Sequence, residues 1–430
     1  MMLRVECLGM SRALHRVMRS VVLAVLAVSA TAYAEDKPKG VEFIDDAKLL
    51  YRIAACGSTD AVDDKLTKIV DKHCKAITEK LDKFRTEYFT NNRKWFTDVV
   101  PKDVPKTVVY PFGGGDLLSV LVAFPDATEI TTISLELSGD PRRLRTLKPS
   151  AVQLSLSGLR AEIGGLISVG SNTTENLSNG QHNDLPAQVS SFLIGLVAGG
   201  YEPVSMRFFT LDDAGDIHYL EQAEIDAMDK EAAAKLKKKK KPVQQPLVEG
   251  EPVTAAKHNW LSPNFSLAFS NVEIQYRKVG ERGASSNEDT TLRVHRHIGW
   301  NLSDGYLKTH PQLVRHLEKK GQVTMLVKGA SYLLWSPGLS TVRGYILDHL
   351  AWMLSDSTGV PPAFAKPAGM VQETYGMFTG AFLESWQATK HDEDFVELWK
   401  TQKKRKLPFR FGYVDMAKQA HLVVTRPRAP

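Results

Sequence analysis

Three glycines and an acid, Gly113-Gly114-Gly115-Asp116, follow the apolar run Thr107 to Phe112 and precede a helix-length apolar segment, Leu117 to Phe124. Glycines after a strand let the backbone turn tightly and let a ligand approach, while free amides at the start of a helix attract negative groups. Glu136 ends the next β-rich run, 21 residues after Gly115, about where an acid holds a ribose in a nucleotide site. Two features oppose a dinucleotide: Leu118 replaces the third fingerprint glycine, and Asp116 sets a carboxylate where pyrophosphate would sit. An Asp that caps its own helix already satisfies the amides a phosphate would use. The turn therefore reads first as a structural βα connection, and second as a site for a small polar ligand.

Further polar residues stand at the ends of other apolar runs. Lys328 and Ser331 follow Val323 to Val327, and Asp356 follows the apolar stretch Leu339 to Leu354. A Ser activated by a Lys is a known hydrolytic arrangement, but residues three apart on an extended chain point to opposite faces. Turn chemistry and helix capping account for Ser331, Ser357 and Thr358. His295 and His297 share a strand face, which suits two metal ligands, yet no Asp, Glu or Cys stands beside them. They read as an exposed pair. No Gly-x-Ser-x-Gly elbow, His-Glu-x-x-His or P-loop occurs, so neither a metal set nor a cofactor is expected.

The elements around these residues predict an α/β fold of Rossmann-like βαβ units in two portions, with an N-terminal helical arm. In the arm, 35–104, Leu66, Ile69, Val70, Cys74, Ile77, Leu81, Phe84 and Tyr88 recur at helical spacing. The first α/β portion, 105–227, holds the opening unit and helices over Ala151 to Val169 and Val189 to Ala198. Between those helices lies a polar loop, Ser171 to Asn183, of a length that suits a cover over a site. A strand over Tyr201 to Thr210 and a turn at Leu211 to Asp216 complete the portion. A Lys- and Pro-rich linker, 228–260, leads to the second portion, 261–430. There a hairpin (Val272 to Val279 with Leu292 to Leu302), a strand at Val323 to Val327, a helix over Leu339 to Leu354 and a last strand, Phe409 to Val414, are expected.

Four segments resemble an exported, uncharacterised bacterial family: Tyr110-Pro111-Phe112-Gly113-Gly114-Gly115-Asp116, Lys328-Gly329-Ala330-Ser331-Tyr332-Leu333, Ser357-Thr358-Gly359-Val360-Pro361 and Leu407-Pro408-Phe409-Arg410-Phe411-Gly412-Tyr413. That family carries Tyr-Pro-Phe-Ser-Gly-Pro-Asp-like, Lys-x-Ala-Ser-Tyr-Leu and Asp-Asp-Ser-Gly-Ile-Pro-like segments; this chain has Gly-Gly where the pattern tends to Ser-Gly-Pro. The resemblance implies a fold and no activity. More weakly, Gly113 to Asp116 with Glu136 resembles the first motif of Rossmann-like methyltransferases, whose cofactor carries no phosphate.

The address opposes that cofactor. Arg12, Arg16 and Arg19 precede an apolar run, Val21 to Ala30, which ends in Ala32-Tyr33-Ala34 before Glu35: a signal peptide over 1–34 is expected. That run is too short to span a bilayer and no later stretch is long enough, so a periplasmic or extracellular chain, remote from cytoplasmic cofactor pools, is expected. Removing the leader takes four Arg and one Glu from a net charge of +6 and leaves +3. Lys235 and Lys237 to Lys241 alone carry six positive charges, so the remainder is slightly acidic and no nucleic-acid face is expected. Of three Cys only Cys56 and Cys74 lie beyond the leader; in an oxidising compartment a disulfide is the favoured reading, two buried thiols the other.

Two functions follow as expectations. One is a non-enzymatic envelope protein, or one binding a small polar ligand or envelope component in a crevice lined by Gly113 to Asp116, Glu136, Lys328, Ser331 and Asp356. The other is an enzyme with a degenerate methyltransferase-like or hydrolase-like site in the same crevice.

Overall fold

A computed structural model describes residues 40–168, 185–238, 266–280, 291–329, 333–379, 390–409, 411 and 420–428. The proposed leader and Ser331 lie outside them, as do most of the polar loop before residue 185 and the linker from 239 to 265. Along the chain run α1 (Ile44–Ile53), α2 (Asp64–Phe84), a π-helical turn (Arg85–Phe89), α3 (Thr90–Val99), β1 (Thr107–Pro111), α4 (Leu117–Ala123) and β2 (Glu129–Ser134). Next come α5 (Pro149–Ser168), α6 (Ala187–Gly199), β3 (Tyr201–Leu211), β4 (Ile217–Tyr219), α7 (Gln222–Lys238), β5 (Asn271–Lys278) and β6 (Arg293–Gly299). The last elements are α8 (Asp304–Thr309), α9 (Gln312–Glu318), β7 (Val323–Val327), α10 (Ser340–His349), β8 (Leu350–Ser355), α11 (Pro362–Ala365), β9 (Met370–Gly376), α12 (Lys390–Thr401) and β10 (His421–Pro427).

The strands form one mixed sheet in the order β4-β3-β5-β6-β2-β1-β7-β8-β10-β9. The five central strands, β6, β2, β1, β7 and β8, are parallel; the pairs outside them are antiparallel. β7 is buried at every position, as expected of a parallel strand covered on both faces. One face carries Val108, Tyr110, Ile130 and Leu326 under α1, α2, α4 and α6. The other carries Val109, Ile133, Met325 and Val327 under α8, α9 and α10. The α/β expectation holds. The ranges 105–227 and 261–430 interleave, however: β5 and β6 lie between β3 and β2.

The helical periodicity of residues 41–104 reflects direct packing on this sheet. α2 buries Val70, His73, Ile77, Leu81 and Phe84 along one face and starts at Asp63, whose side chain accepts from Lys65 N at 2.8 Å. Phe43 stands edge-on to Phe208 and Phe269, and the Phe43 amide donates to the Met206 carbonyl at 2.8 Å. The π-helical turn starts with Arg85, whose guanidinium donates to the Val197 carbonyl (2.9 Å) and the Ala198 carbonyl (3.4 Å) at the end of α6. The Val197 carbonyl also accepts from the Gly200 amide at 3.2 Å, and the cation lies at the negative end of the helix dipole.

Two expectations are corrected and a third is met. The apolar stretch Leu339 to Leu354 is helical only to His349 and becomes β8 at Leu350; an unbroken apolar run carries no sign of where helix yields to buried strand. The strand nearest the C-terminus is β10, His421–Pro427, in antiparallel pairing with β8 and β9; the expected strand at 409–414 lies mainly outside the described residues. The hairpin does form, as β5 pairs antiparallel with β6.

Cys56 and Cys74 form a disulfide with Cα atoms 5.4 Å apart, joining the loop after α1 to α2. It closes a loop of 18 residues, worth about 3 kcal/mol by the entropy removed from the unfolded chain. Replacing both cysteines with Ser should therefore lower unfolding free energy by about 3 kcal/mol in urea titrations; a change under about 1 kcal/mol would show that the loop is already ordered in the unfolded chain.

Candidate functional site

β1 leads into α4 on one face of the sheet, whereas the neighbouring parallel strand β7 leads towards α10 on the other. Connections diverging from adjacent parallel strands leave a crevice at their carboxyl ends, the switch point of an open α/β sheet. The described candidates lie there, beyond four consecutive strands: Glu136 after β2, Gly113 to Asp116 after β1, Lys328 after β7 and Asp356 after β8.

The turn after β1 is tight. Phe112 has a positive φ of 62° and Gly114 one of 49°, a left-handed conformation costly for any residue with a Cβ. A Cβ on Gly113 would come within 2.8 Å of the Tyr110 ring. The Gly113 amide reaches the Ile133 carbonyl at 3.0 Å, tying the turn to the end of β2.

Asp116 is the N-cap of α4: Oδ1 accepts from Ser119 N at 3.2 Å. Lys328 Nζ donates to Asp116 Oδ2 at 3.0 Å and to Ser119 Oγ at 2.7 Å. The Tyr110 hydroxyl donates to Asp116 Oδ2 (3.2 Å) and lies 3.3 Å from the Lys328 carbonyl. Asp356, fully buried, accepts from Gly329 N at 2.9 Å and from both the amide (2.8 Å) and hydroxyl of Thr358. The middle of the crevice is thus occupied by the protein's own ion pair, and Asp356 serves to join two turns. Tyr110 and Ser119 complete this cluster unannounced by the sequence; the signal was Tyr110's place on the same strand face as Val108, two residues earlier.

On the β2 side the balance differs. Glu136 is 2% exposed, and its Oε1 finds no hydrogen-bond partner. Its carbonyl accepts from His297 Nε2 at 2.8 Å, so His297 Nδ1 is the bare nitrogen and takes the Thr132 hydroxyl proton at 3.0 Å. Thr132 Oγ1 in turn accepts from His295 Nε2 at 2.9 Å, which leaves His295 Nδ1 an acceptor without a partner. Phe192 of α6 covers both rings, with centroids 4.4 and 5.1 Å away. Gln188 stands four positions earlier, one turn along the same helix face; its amide atoms, with Ser190 Oγ and Ser191 Oγ, are also buried without partners. The Val189 amide donates to the Ser138 carbonyl at 3.4 Å, which holds this turn of α6 against the segment after Glu136. Folded proteins leave few buried polar atoms unpaired, and here Glu136, His295, Gln188, Ser190 and Ser191 each carry at least one.

The histidines are therefore buried, not exposed. β6 is an interior strand between β5 and β2, and α6, which covers it, arrives from a hundred residues away in sequence. Among the described residues no group of three or more His, Cys, Asp or Glu could hold a metal ion. No family model, curated protein or solved structure matches the chain.

Two outcomes follow. Asp116→Ala removes the cap and strands a half-buried lysine; unfolding free energy should fall by about 3–5 kcal/mol. Lys328→Met added to it should recover part of that loss, and no recovery would show that the cap alone matters. Burial pushes His297 and His316 down to about 4 from 6.5, as it does His73, and His295 well below its ordinary value. The unfolded chain takes up these protons near pH 6.5, so stability is full above that pH and lost as pH falls towards 4. Each group followed to pH 4 should cost roughly 3 kcal/mol, read as a falling urea midpoint that His297→Asn makes shallower.

Proposed function

We propose that the protein is an exported, non-enzymatic binding protein of the cell envelope that takes a small polar ligand at the carboxyl ends of β1 and β2. The leader pattern and the disulfide support export; among the described residues no helix is long and apolar enough to cross a membrane. The observation that carries the binding reading is Glu136, a buried carboxylate with an unpartnered oxygen, two residues before the Ser138 carbonyl that accepts from the first turn of α6. A carboxylate only accepts hydrogen bonds, so its ligand brings donors, hydroxyl or ammonium groups. Asp116 and Lys328, satisfied by each other, shape the wall and do not bind.

The enzymatic alternative rests on a different pair. Ser357 Oγ lies 3.0 Å from His421 Nε2 after β8, with both residues fully buried; a serine against an imidazole is the start of a nucleophile. Labelling of Ser357 by a fluorophosphonate, absent in His421→Ala, would favour a hydrolase over a binding protein.

Glu136→Gln keeps the shape of the side chain and replaces a buried carboxyl with a neutral amide, so the variant should be as stable as the parent or up to about 2 kcal/mol more stable. It should also lose the thermal shifts that amino sugars and polyols give the parent protein. Parent-like shifts in Glu136→Gln would remove Glu136 from the site, and a panel that shifts neither protein would end the binding reading.

A further inference from the structure

A second concavity lies at the opposite, amino end of β1. It encloses about 270 Å³, the space of about nine waters at ~30 Å³ each. Its walls come from three pieces of chain: the last turn of α3 with Phe96 and Val100, the turn from Pro101 to Lys106, and the end of α4 with Ala123 and Phe124. Val108, the second residue of β1, contributes to the lining beneath. Phe96, Val108, Ala123 and Phe124 are all core residues, at most 5% exposed, so the interior is apolar.

The exposed lining residues are of another kind. Lys102, Lys106 and Asp126 line the same cavity and are exposed. Among the described residues neither lysine makes an ion pair or a side-chain hydrogen bond, and the exposed residues that line the cavity carry one net positive charge. An apolar chamber with a few charged groups at its edge is the usual build of a site for a small amphiphile: hydrocarbon fills the inside and a head group stays at the water boundary. Nothing in this chamber resembles the buried acceptors around Glu136, so the two sites call for opposite ligands.

We propose that this cavity binds a small amphipathic anion, with its apolar body against Phe96, Val108 and Phe124 and its anionic head between Lys102 and Lys106. A medium-chain carboxylate fits both the volume and the sign of the charge. The apolar body supplies most of the affinity, and the lysines select the head group at the solvent boundary, where each ion pair adds modestly.

Isothermal titration of the full chain with octanoate, octanol and octylammonium tests this. Octanoate should bind best and octylammonium at least tenfold more weakly. Lys102→Ala with Lys106→Ala, both at exposed positions, should weaken octanoate about five- to tenfold and leave octanol unchanged. Thr97→Trp, which enlarges an exposed residue of the lining, should abolish binding of all three, while Glu136→Gln should leave octanoate binding intact. Equal affinity for octanoate and octylammonium, octanoate binding untouched by Thr97→Trp, or no octanoate binding at all would each overturn the proposal.

Discussion

The contact between Lys328 and Asp116 closes the crevice between β1 and β7. β1 and β7 run side by side and send their chains to opposite faces, so their carboxyl ends diverge. A single ammonium spans that gap, 3.0 Å from the acid that starts α4 and 2.7 Å from Ser119 in the first turn of the helix. Because Asp116 caps the helix with its other oxygen, the helix start, the glycine turn and the β7 loop are fixed by one group. Asp356 repeats the device one strand further on, with a carboxylate that takes backbone and hydroxyl donors in place of a cation.

Closing the centre displaces the polar chemistry sideways. Unsatisfied groups lie one strand over, where Thr132 links two neutral imidazoles between β2 and β6 and Glu136 lies sealed. Both histidines are kept neutral by burial, so the carboxylate gains no cation from them. Glu136 Oε1 stays without a partner there.

Much of this was legible from residue order. The run Thr107 to Phe112, the glycines, Asp116 and Leu117 to Phe124 became strand, turn, cap and helix within a residue of expectation, because turn chemistry, capping and apolar runs all point the same way there. Asp116 was readable as a cap since an acid directly before an apolar helix has few other uses. Its partner was not: Lys328 is 212 positions away, and nothing local says which strand will lie beside β1. The same lack of non-local information hid the burial of His295 and His297 and the change from helix to strand at Leu350. Alternation tells which residues share a face; it does not tell whether a helix from elsewhere covers that face.

The interleaved strand order carries a consequence for how the chain reaches its native state. β1 and β2 pair with each other early, but the free edge of β2 waits for β6 and that of β1 for β7, nearly two hundred residues later. Before β6 and β7 are made, the outer edges of β2 and β1 lack their partners, and the apolar face lacks α8, α9 and α10. Long loop closures precede any reward, so native pairing is intrinsically late and the nascent half-protein sticky. The order in which the strands are made is therefore not the order in which they lie side by side.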